Sequence, residues 1–430
     1  MVSIVSKILN VLLILSAIIY TCWYNSIKGD DAVMDNKNTV TPEKDSHESL
    51  YQSIFDVDCI MNSAELMDQG NEVHEEVQRI LWKNRRSIIV VTFLLVVCFF
   101  ISFCVGRYAV SLSGVFTAIG NGLRHTVWYI GKICGNTATE PEWLVTSEDT
   151  VIWLVRMPRI LAAMLVGSAL SFSGATYQSL FRNPMVSPDI LGASSGASVG
   201  ACLMMLFSKN NTFIQFGAFG MGILAVALSY LLSKAISVNG NTVLILVLCG
   251  MTVNTLFQAF VSIIKYLADP ESQLPEMTYW LMGSIAKIDF EDLRFFIVTF
   301  ALGVVPVYLL RWKINILSLS EDEAKSMGVN ISCTRLICVI CATLLTASVV
   351  SFAGTVGWVG LMIPHLVRFI VGANNRILLP MSLLTGALFM LIIDNVCRTL
   401  FPYEIPLGVL TSLLGAPFFI YILYKRKGSA

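Results

Sequence analysis

Apolar residues in this chain fall into long continuous runs separated by short polar turns, from Ser87 to near the C-terminal end. A helix needs about 20 such residues to cross a bilayer. Taken in order, the runs predict spans over residues 87–105, 158–181, 190–207, 213–232, 243–266, 295–310, 336–352, 361–371, 378–396 and 407–424. The run at 361–371 is short alone and needs its glycine-rich lead-in from Gly354. A membrane β-barrel would show short alternating segments instead. The pattern therefore predicts an all-α polytopic membrane protein, a bundle of about ten helices.

The N-terminal part reads differently. An apolar run at 8–24 follows Lys7 and fits either a signal-peptide core or a short span. Residues 30–76 hold thirteen acids against two lysines, which reads as a soluble acidic insert. Val73, Val77, Ile80 and Leu81 then recur at helical spacing, predicting an amphipathic helix over 71–83. The chain thus divides into an N-terminal extension, 1–86, and a membrane domain, 87–430.

Composition agrees with the pattern: 55% of residues are apolar and 13% charged, where a soluble domain carries about a quarter charged. The formally neutral total hides the acidic insert, so the rest of the chain is basic. Alternating spans from Lys83–Arg86 place Arg182, Lys234, Arg311 with Lys313, the 368–376 turn and Lys425–Lys427 on the inner face, as the positive-inside rule requires. Arg156 and Arg159 fall on the outer face. The cysteines lie mostly within apolar runs, without metal-ligand spacing, and no histidine falls at ligand spacing from a cysteine. No metal site is expected.

Two local patterns concern packing and coupling. Gly192, Gly196 and Gly200, and likewise Gly167, Ser171 and Ala175, recur every fourth residue, as helix faces in close contact do. The inner loop 317–330 reads LSLSEDEAKSMGVN. Ser320 with Glu323 forms a capping box, Glu321 and Asp322 suit the positive end of a helix dipole, and Gly328 supplies a left-handed stop. Ala324, Lys325, Ser326 and Met327 complete a stiff helix of about two turns. It reads either as an ordinary interfacial helix or as a lever docking into a nucleotide-binding partner.

The stretches RMPRILAAMLVGSALSFSGATYQSLFRNPMVSPDILGASSGASVGA (156–201), YWLMGSIAKIDFEDL (279–293), GTVGWVGLMIPHLVRFIVG (354–372) and EIPLGVLTSLLGAPFFIYIL (404–423) resemble, in order, the permeases of iron-chelate (siderophore or haem) and cobalamin uptake, the transmembrane subunits of type II ABC importers. The resemblance covers about 87–427. It implies a homodimer with the path between two copies, ABC ATPase subunits docking inside, and a solute-binding protein docking outside. ATP and Mg would be bound by the ATPase and no cofactor by this chain, which lacks the G-x-x-x-x-G-K-[ST] phosphate loop. The membrane would be a prokaryotic plasma membrane, and nucleic acid has no role. The resemblance makes 320–328 the coupling helix. It makes Arg156, Arg159 and Arg398 the arginines that receive carboxylates of the binding protein. It assigns the cytoplasmic gate to Asn183, Met185, Asn241 and Thr242.

Arginine suits docking because its planar fork holds a carboxylate through two bonds. Snorkelling at a helix end is the simpler reading for Arg156 and Arg159. Asp394, one turn before Arg398, is placed to pair with it. His365 in IPHLVR reads as a packing residue. The extension 1–86 and the long outer loop 107–155 depart from the family pattern. The rival reading is an ion-coupled secondary transporter, which needs ionisable groups at the membrane midplane, and the spans hold few.

Overall fold

The computed structural model describes residues 61–108, 110–133, 144, 146–236, 242–317, 321–400 and 403–427. The apolar run 8–24 and the acidic residues before Met61 lie outside the described residues. The chain divides into two units, Met1–Val90 and Val91–Ala430.

The first helix, α1, runs from Met61 to Cys104 without interruption. The sequence suggests an amphipathic helix over 71–83 and a separate span from Ser87. The structure joins them because the intervening Trp82–Ser87 contains neither glycine nor proline to break the ladder. Only Trp82–Cys104 is apolar enough to span.

In the second unit, α2 (Leu112–Ile133) and α3 (Ser147–Thr150) occupy what the sequence presents as a long outer loop. Trp153 Nε1 donates to the Ala118 carbonyl at 2.8 Å, tying α2 to a π-helical turn at Val151–Arg156. That turn feeds α4 (Met157–Leu180), whose start carries Pro158, where a missing amide hydrogen costs nothing. A 3₁₀ turn (Pro188–Leu191) precedes α5 (Ala193–Phe207) and α6 (Asn211–Ile236). Then follow α7 (Thr242–Leu267), α8 (Gln273–Leu281), α9 (Phe290–Ile316) and the short α10 (Glu321–Ser326). The chain continues through α11 (Ile331–Ala353), α12 (Val359–Val371), α13 (Asn375–Thr399) and α14 (Leu407–Lys427). Among the described residues, seven helices are long and apolar enough to cross a membrane. Three shorter apolar ones, Ala193–Phe207, Val359–Val371 and Leu407–Tyr421, fall where the remaining spans are expected. Among the described residues there is no strand.

The bundle is organised around close backbone approach. A Cβ on Gly167 would collide with the Gly386 carbonyl, and one on Gly386 with the Gly167 carbonyl, so α4 and α13 touch backbone to backbone. Gly174 meets Gly360 of α12 in the same way. Such contacts replace the hydrophobic drive that lipid cannot supply. Gly196 and Gly200 do this work between α5 and α6, against Met221 and Gly217. Gly192 departs from that expected row: its φ of 88° puts it in the left-handed turn before α5, and a Cβ there would meet nothing closer than 3.6 Å. Its role is conformational.

Candidate functional site

At the N-terminal end of α4 three arginines come together, each nearly buried: Arg156 at 4%, Arg159 at 7% and Arg398 at 5% exposure. Arg159 sits in the first turn of α4. Its Nε donates to Asp394 Oδ1 at 2.8 Å, and its Nη1 donates to both oxygens of Glu404 at 2.9 and 3.0 Å. Arg398, one turn along α13 from Asp394, places its Nε 3.0 Å from Asp394 Oδ2. Its Nη2 donates to Asn395 Oδ1, and Asn395 Nδ2 in turn donates to Ser102 Oγ at 2.6 Å. Arg156 donates to the carbonyls of Phe103 and Tyr108. Gly106 makes room for it, since a Cβ there would lie 2.8 Å from Arg156 Nη2. Asp394 is fully buried and shared by two arginines, an arrangement that offsets the cost of dehydrating all three groups. The structure thus brings the three predicted arginines into one cluster and holds them through this chain's own groups.

An open cavity of about 760 Å³ runs along the first half of α14. Gly408, Val409, Ser412, Leu413, Ala416 and Pro417 of α14 form one wall. Leu281 with Met282 from α8, Thr355–Gly357 after α11, and Asp189 with Ser194 form the others. The head of α14 is fixed to the α8–α9 turn by backbone bonds, Leu407 N to Gly283 O at 2.8 Å and Gly408 N to Met282 O at 3.1 Å. Sequence reasoning missed Asp189 although an acid beside an apolar run was the available signal. Its carboxylate accepts from Ser194 Oγ, and Ser187 Oγ lies 3.4 Å from Asp189 Oδ2. Burial pushes this carboxyl above the usual range, against those two serines.

The C-terminal end of α4 closes with Arg182 in the left-handed region, φ 51°. Arg182 Nε donates to the Leu317 carbonyl at 2.9 Å, at the end of α9. Asn183 is exposed and its Oδ1 accepts from Met185 N at 2.9 Å, forming the turn after α4. Gln178 gathers neighbours here: its Nε2 donates to the carbonyls of Val186 and Leu361, each at 3.2 Å, while Arg368 donates to its Oε1. Ser179 Oγ donates to Asn375 Oδ1 at 2.7 Å, and Asn375 N donates to Asn315 Oδ1 at 2.8 Å. Four helices therefore meet at this end. Thr242 opens α7, whereas Asn241 lies outside the described residues.

The short helix α10 bears out the expected stop. Gly328 has φ 75°, Gly328 N donates to Lys325 O at 2.9 Å and Val329 N to Ala324 O at 3.2 Å, the paired bonds of a Schellman cap. Ala324 and Val329 are buried beneath it, while Glu323, Lys325, Ser326 and Met327 are exposed. The helix starts at Glu321; Ser320, and with it the expected capping box, lies outside the described residues, as do the side chains of Glu321 and Asp322. His365 packs edge-on against Phe369, ring centroids 5.0 Å apart.

Comparison with known proteins supports the same reading of the chain. Residues 94–425 match the model of the FecCD transport family. The chain is 40% identical over 338 residues to the molybdate import system permease protein MolB of Haemophilus influenzae, covering 78% of this chain and 94% of that one. It is 39% identical to a Helicobacter pylori permease protein named for an iron chelatin transport system, covering 66% and 85%. A solved structure named as an inward-facing, metal-chelate type ABC transporter matches with a TM-score of 0.68 and 38% identity, covering 79% of this chain and 99% of that one. The chain belongs to the FecCD transport family and is a multi-pass permease subunit of the ABC importer type, not an enzyme.

Proposed function

We propose that this permease moves a metal chelate, foremost an iron–siderophore complex, then haem, then cobalamin, across a prokaryotic plasma membrane. The observation that carries the reading is the cavity beside α14. Its volume of about 760 Å³ falls within the range of clefts that take organic ligands of several hundred daltons. Its lining is mainly apolar, with hydroxyls from Ser194, Thr355 and Ser412 and the single carboxylate of Asp189. Such a wall suits a bulky ligand whose metal is already coordinated. The resemblance of the fold to a metal-chelate type transporter supports it.

Two copies of the chain form the path in this reading. ATP and Mg act on separate ATPase subunits, which engage the exposed face of α10 inside, and Asn183, Met185, Asn241 and Thr242 close the inner end. The solute-binding protein approaches the Arg156, Arg159 and Arg398 cluster. A second reading, transport of a molybdate-type oxyanion, follows from the Haemophilus relative. Growth rescue of an uptake-deficient strain by the permease with its ATPase and binding protein separates them. Rescue on ferric siderophore, haem or cobalamin is expected. Rescue on molybdate alone overturns the chelate reading, and uptake that persists without the ATPase overturns the importer reading.

A further inference from the structure

We propose that Glu404 is an internal stand-in for a partner's carboxylate at Arg159, and that a docking protein releases the head of α14 by taking its place. The inference rests on the docking role proposed above for the arginines. The two acids that hold Arg159 are unequal. Asp394 is fully buried, engages Nε, and is shared with Arg398. Glu404 engages only Nη1, and its side chain is 29% exposed. A buried pair is costly to break, because it strands a charge in a dry site. A part-solvated pair exchanges at little cost, since water or another carboxylate can take either member.

Charge draws a carboxylate in, and geometry makes it exchange rather than add. The cluster holds three guanidinium groups and two carboxylates, and Arg156 reaches backbone carbonyls rather than an acid. An incoming carboxylate therefore finds a site that is net cationic, and the Nη1 position is the one already shaped for it. Glu404 lies in the connection between α13 and α14, three residues before Leu407. That connection leads directly into Gly408 and Val409, which line the cavity. With Glu404 in place, the start of α14 is tethered twice, through Arg159 and through the backbone bonds to Met282 and Gly283. Exchange at Arg159 removes the first tether and leaves the second as a hinge. Arrival of an acidic partner outside would thus be read at the cavity wall.

The test uses the full importer, permease with ATPase, in nanodiscs, and its cognate substrate-free solute-binding protein. A nitroxide replaces the exposed side chain at Tyr403. Glu404→Gln is expected to tighten docking about fivefold, the scale of one part-exposed ion pair. It should also leave the label mobile without partner, as the unmodified importer becomes only when the binding protein is added. Glu404→Asp, which keeps the carboxylate, should behave like the parent and excludes local unfolding as the cause. Docking of Glu404→Gln that is unchanged or weaker, or a label that stays immobile, overturns the proposal. Arg156→Glu is the control for the underlying reading. If it weakens docking while Glu404→Gln does nothing, only the stand-in fails; if it docks normally, the arginine face itself is refuted.

Discussion

Arg182, at the C-terminal end of α4, donates a 2.9 Å hydrogen bond to the backbone carbonyl of Leu317, the residue that ends α9 and opens the segment leading to α10. The turn assigned to the gate is therefore joined through one guanidinium to the end of α9, four residues before α10 begins. Replacing it by Arg182→Asn keeps a residue that tolerates the left-handed conformation and deletes the bond. ATP-driven uptake in proteoliposomes should fall about tenfold, within the range of single-residue coupling effects. The ATPase subunit should still co-purify. Full uptake would separate the gate from this contact.

Asp394→Asn should be severely destabilising, by about 3–5 kcal/mol, because it leaves Arg159 and Arg398 buried without their shared counter-charge. Thermal unfolding in detergent measures the loss. Adding Arg398→Met to Asp394→Asn should recover part of it, since one stranded charge is then gone.

Gly167→Ala tests the α4–α13 contact. In an exposed helix, alanine in place of glycine stabilises by about 0.5–1 kcal/mol. Here the new methyl meets the Gly386 carbonyl, backbone that cannot swing away, and the sign should reverse, with a lowered melting temperature. A raised one would show that the helices have room to separate.

Gly328→Ala forces a Cβ into the left-handed region at φ 75°, at a cost of about 1–2 kcal/mol. Open space surrounds the position, so the penalty is conformational alone, and Gly328→Asn should cost less. Co-purification of the ATPase should fall in the order glycine, asparagine, alanine.

Asp189→Asn removes a carboxyl held above its ordinary range by burial. A raised folded-state value means that the group stabilises the fold below its unfolded pKa and loses that contribution as pH rises through the folded value. The parent should therefore lose melting temperature from acid to neutral pH more steeply than Asp189→Asn. Parallel profiles would show that the carboxyl titrates normally.

Much of the architecture is legible from hydrophobic runs because a bilayer demands length and continuity, and both are written locally. The left-handed stop at Gly328 is local as well. The helix α2 escaped because its apolar residues are spaced along one face of an amphipathic helix, interrupted by Gly120, Asn121, Gly122 and Arg124, and so form no continuous run. Partnerships across the bundle are a different matter. The pairing of Arg398 with Asp394 follows from one helical turn, but Glu404 reaches Arg159 across 245 positions, and nothing near either residue announces the other. Gly192 misled for a related reason: its spacing from Gly196 matches a packing row, while the conformation it serves depends on the turn it enters from.

The backbone contact between Gly167 and Gly386 has a mechanical consequence. α4 carries Arg159 near one end and leads into Arg182 at the other; α13 carries Asp394 and Arg398 near one end and Asn375 at the other. Side chains normally act as springs between helices, and here there is no spring to compress. The two helices are held as one unit about 36 Å long, so a displacement at the Arg182 end is carried to the arginine cluster with little lost on the way.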